Sequence, residues 1–322
     1  MISQELLSQY GSVRCQEPLK NHTTYRIGGP VDYYVEVFDL VSLENLVALL
    51  NEEGSEWMVL GNGSNVLVDD EPYHGVVLSL REHFDSFAFA GNVLHAQAGC
   101  SMIVLSNEAL NRSLSGLEFA SGIPGSIGGG IYMNAGAYRS DLSELLIDVT
   151  VLKDGKIQQI PKAELDFTYR HSAFQLHKDW VILAASFALE PRDPREIKAL
   201  MDSRKQRRLS SQPVSEPSAG SVFRNPQGMN AWQIVDDLGF RGKACGGARV
   251  SEIHSNFIVN EGNASARDVD RLIRTIQKQA WEVFGVHLIT EVERINWHAK
   301  EHEPKTLAPQ AGESLEKPAG LV

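Results

Sequence analysis

The 322 residues are 43% hydrophobic and 22% charged, the balance of an ordinary soluble globular protein long enough for two or three domains. A formal net charge of -11 leaves no basic surplus for a phosphate backbone and excludes nucleic acid as the main partner, although a nucleotide needs only a few local donors. Three scattered cysteines, Cys15, Cys100 and Cys245, lack metal-ligand spacing, and the N-terminus has neither a basic start nor an apolar run, so a reduced, cytoplasmic setting without membrane insertion, disulfides or a metal is expected.

Residues 1–19 read as a short amphipathic helix and a connector. After the turn signal Gly28-Gly29-Pro30, the alternation of Val31, Tyr33, Val35 and Val37 predicts a half-buried strand. Ser42 is placed to cap a helix carrying Leu43, Leu46, Val47 and Leu50, stopped at Gly54. A short strand, Trp57 to Leu60, completes a βαβ unit ending in the turn Gly61-Asn62-Gly63-Ser64-Asn65, where such folds bind ligands. Strand-like patterns follow to Ala98, and Ser101 opens a helix through Leu110.

That helix delivers the chain to GLEFASGIPGSIGGGIYMNAGAY, Gly116 to Tyr138. Glycine at this density costs backbone entropy unless the main chain must curve tightly or approach something closely. Its N–H groups suit an anion cradle, and Ile123, Ile127, Ile131 and Met133 are too apolar for a solvated linker. It matches neither the P-loop nor a clean G-x-G-x-x-G. With the Gly61–Asn65 turn it makes two anion-binding loops, as a dinucleotide diphosphate requires.

Downstream, LLIDVTVLKDGKIQQIP predicts a hairpin turning at Asp154-Gly155, and VILAASFAL a buried strand. Asp193 to Arg208 forms a charged helix whose basic end (Arg204, Lys205, Arg207, Arg208) is either a solvated terminus or supplies one or two groups to an anionic ligand. LSSQPVSEPS marks a boundary. Beyond it lie a short helix at Ala231–Leu238, a glycine patch at Gly242–Gly247, the strand-like FIVN, and a helix with Ser265 and Asp268 at capping-box spacing, ending at Gly285. A last strand carries HLITEVERI, and the tail 298–322 has a disordered composition. Three polar groups on short apolar-flanked motifs are candidates for chemistry: Arg170, Ser221 and Glu291. On spacing alone Arg170 also reads as an ion-pair residue, Ser221 as a cap, and Glu291 as an exposed strand position.

Taken together, TTYRIGGPVD, LGNGSNVLV, SGIPGSIGGGIYMNAGAY, YRHSAF, SAGSVFRNP, GGARVSEIHSNFIVN and TEV occur in one order between Thr23 and Ile295. In these the chain resembles the UDP-N-acetylenolpyruvoylglucosamine reductase family, in its subclass without the tyrosine-loop insertion. The resemblance implies an α+β chain: a vanillyl-alcohol-oxidase-type FAD-binding fold in two subdomains (1–75 and 76–208), then an α+β substrate-binding domain (209–297). It implies NADPH-dependent, FAD-mediated reduction of UDP-N-acetylglucosamine enolpyruvyl ether to UDP-N-acetylmuramate for peptidoglycan. No protein partner is implied. The FAD is non-covalent, since neither glycine cluster holds His or Cys.

The resemblance also implies roles. Ser221 donates the proton, Arg170 pairs with the pyruvyl carboxylate, and Glu291 orients or protonates the same centre. FAD falls to Tyr25 and Arg26; to Gly61, Asn62, Gly63, Ser64 and Asn65; to Gly122, Ile123, Pro124, Gly125, Ser126, Gly128 and Gly129; and to Asn134, Ala135, Gly136 and Ala137. Arg224, Asn225 and His254 fall to the sugar nucleotide. Two positions depart from the family pattern. Glu293 stands where arginine is usual, with Arg294 one residue later and so on the other strand face; that contact is lost or passes to Arg224 or Arg249. Arg139 replaces a common glycine. The rival readings are another oxidase of the same FAD fold and an inactive sugar-nucleotide-binding homologue.

Overall fold

The computed structural model describes residues 2–297. After one helical turn at Gln4–Leu7, the stretch read as a connector forms strand β1 (Gly11–Pro18), pairing antiparallel with β2 (Pro30–Val37). Its composition hid it: GSVRCQEP is mostly polar because β1 is a sheet edge, with Arg14 bonded to Glu36 across the pair. Strand β2 is covered on both faces. Val35 and Val37 join the main core, while Val31 and Tyr34 join a smaller one with Leu19, Leu60, Val68 and Val77.

Helix α1 (Leu40–Glu52) buries Leu43, Leu46, Val47 and Leu50 as predicted, but its cap is Asp39, whose carboxylate accepts from the Ser42 N–H at 2.7 Å. Ser42 sits inside the first turn. The chain continues through β3 (Trp57–Val59), β4 (Val66–Val68) and β5 (Tyr73–Ser79), and β5 inserts between β2 and β3 in a sheet ordered β1-β2-β5-β3. The β2, β5 and β3 pairings are parallel.

A second, antiparallel sheet comes from β6 (Phe87–Ala90), β7 (Val93–Gln97), β8 (Leu146–Lys153), β9 (Lys156–Pro161) and β10 (Val181–Ala188), in the order β9-β8-β10-β7-β6. The β8–β9 hairpin turns at Asp154-Gly155, both at positive φ. Between β7 and β8 run α2 (Met102–Asn111), capped by Ser101, and α3 (Ile127–Tyr132), capped by Ser126. One continuous core joins Ile2 to Leu189 across both sheets, and α4 (Pro194–Ser211), capped by Asp193, packs behind the start of the glycine stretch.

The remaining chain builds a second major core around Val222, Phe223, Ile234, Val250, Ile258, Ile273 and Ile276, into which Tyr25, Ile27 and Leu67 also insert. Its elements are α5 (Ala231–Asp237), a small sheet of β11 (Ala244–Cys245), β12 (Ala248–Val250) and β13 (Ile258–Asn260), and α6 (Ala266–Phe284). The reciprocal Ser265–Asp268 capping box and left-handed Gly285 bound α6 as the sequence predicts. The long final strand contracts to β14 (Glu293–Ile295), which returns to pair in parallel with β4, while Thr290 makes only a bridge to Phe223. The tail at 298–322 lies outside the described residues.

Candidate active site

Where the two cores and the second sheet converge, a cavity of about 1120 Å³ opens, lined by residues 58–66, 122–137 in part, Arg170, 212–221, Glu291 and 293–296. Its volume exceeds the range of roughly 300–1,000 Å³ for single small-molecule sites, leaving room for a dinucleotide and a second ligand. Both glycine loops form its wall. They interlock: Asn62 Nδ2 donates to the Pro124 carbonyl at 3.3 Å, and a Cβ on Gly61 would lie 2.7 Å from Ser126 Oγ. Gly63, at φ +59, turns the first loop under His22 and Thr23. Among the described residues, no protein acceptor takes up the backbone N–H groups of Asn62, Gly63 or Ser64. Unclaimed donors on a curved loop beside apolar walls (Met58, Leu60, Met102, Ile123, Phe174) fit a diphosphate joined to flat ring systems.

The sequence order brings Arg170, Ser221 and Glu291 to one end of this cavity. Arg170 sits at φ +56 in a tight turn closed by reciprocal bonds between Thr168 and His171. Its Nε donates to Glu291 Oε1 at 2.7 Å, Nη2 to the Gly136 carbonyl at 2.7 Å, and Nη1 to the Asn134 carbonyl at 3.4 Å. A guanidinium has five N–H groups. Three are used to fix the plane, and two are left for an anion.

Ser221 follows Gly220, whose φ of +76 swings the chain into the wall. The next residues are held from both sides. Val222 donates to the Asn256 carbonyl, Phe223 exchanges bonds with the Asn256 side chain, and the Glu291 N–H donates to the Val222 carbonyl at 2.7 Å. Serine and carboxylate are thus carried on adjoining backbone. Asn65 completes the frame, its side chain donating to the Glu291 carbonyl and its own carbonyl accepting from Glu293.

Of the residues assigned to cofactor, Arg26, Gly61, Asn62, Gly63, Ser64, Asn65, Gly122, Ile123, Pro124, Gly125, Ser126, Gly128, Gly129, Ala135, Gly136 and Ala137 line the cavity. Tyr25 and Asn134 lie behind it. Tyr25 is buried in the second core, and burial pushes its hydroxyl pKa up strongly. Asn134 donates to the Thr168 carbonyl at 2.9 Å and accepts from Ser143, so it pins the Arg170 turn instead of facing ligand.

The three sugar-nucleotide candidates also stand outside the wall. Asn225 Oδ1 accepts from the Ala231 N–H at the start of α5, and His254 packs against Phe257, with burial lowering its pKa. Arg224 is half-buried outside the wall, with its Nε buried and lacking an acceptor among the described residues. Arg249 is held by Glu216 and Glu261. Arg294 contributes to the wall, but its guanidinium turns to Asp270 at 2.6 Å and stacks over Trp297. Arg139 takes φ +64 in a small turn outside the cavity, the conformation in which glycine is unstrained.

Sequence reasoning passed over Lys178 and Tyr132, both in the wall. From the basic run, Arg208 reaches the cavity and lies over Gly122, where a Cβ would come within 3.1 Å of its Cδ. Helical spacing carried the signal for Arg208: it is one turn beyond Arg204, whose carbonyl accepts from Tyr138.

Comparison with known proteins agrees with this geometry. A family model described as an FAD binding domain matches residues 31–160, and one described as the UDP-N-acetylenolpyruvoylglucosamine reductase C-terminal domain matches residues 212–295. The fold and site therefore define an FAD-binding flavoprotein of mixed α and β structure. UDP-N-acetylenolpyruvoylglucosamine reductases of Bacillus licheniformis and Bacillus subtilis are each 42% identical over 296 residues, covering 91% of this chain and 98% of theirs. The crystal structure of the Thermus caldophilus enzyme superposes with a TM-score of 0.76 at 32% identity, covering 88% of this chain and 98% of that one. This chain belongs to the UDP-N-acetylenolpyruvoylglucosamine reductase family.

Proposed function

We propose that the chain reduces UDP-N-acetylglucosamine enolpyruvyl ether to UDP-N-acetylmuramate, a step of peptidoglycan precursor synthesis, with NADPH as reductant in the cytoplasm. The observation that carries the catalytic assignment is that the Arg170–Glu291 pair and Ser221 line one cavity with two glycine loops, the first of which leaves the N–H groups of residues 62–64 unclaimed among the described residues. FAD would be held by the Gly61–Asn65 loop and the cavity-lining part of the glycine stretch, and when bound it would supply hydride for the vinyl carbon distal to the ether oxygen.

The chain's own residues manage the charge that follows. Electron density moves toward the pyruvyl carboxylate as the enol ether takes up hydride. The two spare N–H groups of Arg170 face that carboxylate and stabilise the growing enolate, while Glu291 and the Gly136 carbonyl keep the guanidinium from rotating. Ser221 gives its proton to the carbon attached to the ether oxygen. A serine hydroxyl is a weak acid in water, so its position beside the enolate supplies the advantage, roughly 10²–10⁴-fold for positioned proton transfer. Glu291, paired with Arg170, orients the centre.

The fold divides functionally at about residues 75 and 208, and the segment from Arg170 to Ser221 is filled by β10 and α4, without length for a tyrosine-tipped lid. The test is direct. Purified protein carrying non-covalent flavin should oxidise one NADPH for each enol ether consumed; protein without flavin, or with flavin that never transfers electrons to the ether, would refute the reading.

A further inference from the structure

Among the described residues, three carboxylates line the cavity: Glu216, paired with Arg249, Glu291, and Glu293. Glu293 stands two residues after Glu291, at the first position of β14, and both residues line the cavity. Its backbone is fixed: the N–H donates to the Asn65 carbonyl at 2.9 Å, and the residue registers against Val66. Glu291 is neutralised by Arg170, whereas Glu293 makes no ion pair within 4 Å among the described residues. Lys178, from the loop before β10, and Arg224, outside the wall, act on it electrostatically, and Glu293 in turn acts on Tyr132, at the end of α3. An ionised Glu293 cancels positive charge that an anionic ligand would otherwise meet. A protonated Glu293 leaves Lys178 and Arg224 uncompensated and offers an O–H to an anionic oxygen.

We propose that Glu293 couples binding of the anionic sugar nucleotide to uptake of one proton, so that the ligand is held most tightly when this carboxyl is neutral. The inference rests on the reductase reading of the same cavity. Burial raises the carboxyl above its ordinary value despite the opposing pull of Lys178 and Arg224. Tyr132 does not titrate with it, since burial and the charge of Glu293 push its hydroxyl up to about 12. The ligand's diphosphate and carboxylate remain ionised throughout.

The oxidised FAD-loaded enzyme is titrated with the enolpyruvyl ether and, separately, with UDP-N-acetylglucosamine, which lacks the carboxylate, from about pH 5.5 to 8.5. The dissociation constant for the ether should weaken with pH by up to about tenfold per unit, the limit for one proton. Calorimetry in two buffers of different ionisation enthalpy should show proton uptake by the unmodified enzyme. Glu293→Gln should remove both the uptake and the slope and keep the tight-binding limit at high pH. A slope with both ligands assigns the contact to the diphosphate, and a slope with the ether alone assigns it to the pyruvyl carboxylate. A pH-independent constant, a slope of opposite sign, or a slope retained in Glu293→Gln overturns the role of Glu293 while leaving the reductase reading intact. Failure of the ether to bind at any pH counts against that reading and removes this inference with it.

Discussion

Arg170 Nε and Glu291 Oε1 lie 2.7 Å apart although 121 residues separate them in the chain. Both side chains are largely buried, so the pair holds its shape without competition from bulk water, and each partner would be costly to leave alone. Because the guanidinium is also tied to the carbonyls of Gly136 and Asn134, its remaining donors point from a rigid frame.

Arg170→Lys keeps the charge but loses the planar fork and the simultaneous bonds to Glu291 and Gly136. We expect kcat to fall by roughly 10²–10³-fold, the usual scale for removing one preorganised donor at a developing charge. Flavin content should be unchanged. Steady-state kinetics beside the flavin spectrum checks this; wild-type turnover would show that the fork is not needed.

Gly63 turns the first glycine loop at φ +59, and a Cβ there would lie 2.8 Å from Thr23 Cα. Gly63→Ala should displace the donors at residues 62–64 and weaken flavin binding by roughly ten- to a hundredfold, as overpacking by one methyl costs about 1–3 kcal/mol. Fluorescence titration of the apoprotein with FAD reads the change, with circular dichroism checking that the fold persists.

Asn260 ties the C-terminal unit to the N-terminal half. Its side-chain amide donates to the Tyr25 and Arg26 carbonyls at 3.0 and 3.3 Å, and its oxygen accepts from Gly262 and Ala264. Asn260→Ala leaves buried groups without partners and should destabilise the fold by about 2–4 kcal/mol. Denaturant unfolding at fixed flavin concentration measures it.

Stability should depend on pH through Glu293. Its folded pKa is raised by burial. The folded state therefore holds the proton more firmly than the unfolded chain, and this contribution is fully present below the unfolded pKa and lost as pH rises through the folded one. Glu293→Gln should consequently raise Tm more at about pH 8 than at about pH 5. Equal shifts at both would contradict the sign.

Much of this was legible in the sequence because local chemistry dictated it. The capping box and Gly285 bound α6, Asp154-Gly155 turns its hairpin, and Ser101 caps α2, all through contacts within a few residues. The family resemblance, not spacing, named Arg170, Ser221 and Glu291, and all three line the cavity beside the two glycine loops. What the sequence concealed was settled at long range. Strand β1 is polar because its partner lies on one side only, and β5 reaches its place between β2 and β3 only after the chain has passed both. Tyr25 and Asn134 sit in motifs that line the cavity, yet their side chains turn to the second core and to the Arg170 turn. Motif membership places a backbone; packing decides where each side chain goes.

The central claim is that Ser221 delivers the proton while the rest of the site prepares the acceptor. The most direct measurement is an anaerobic stopped-flow comparison of the two half-reactions in the unmodified enzyme and in Ser221→Ala. In both, NADPH should bleach the flavin band at similar rates. Adding the enol ether should restore the band in the unmodified enzyme and restore it at least about a hundredfold more slowly in the variant. Reoxidation at the unmodified rate in Ser221→Ala would contradict the account and move the proton to another group in the cavity.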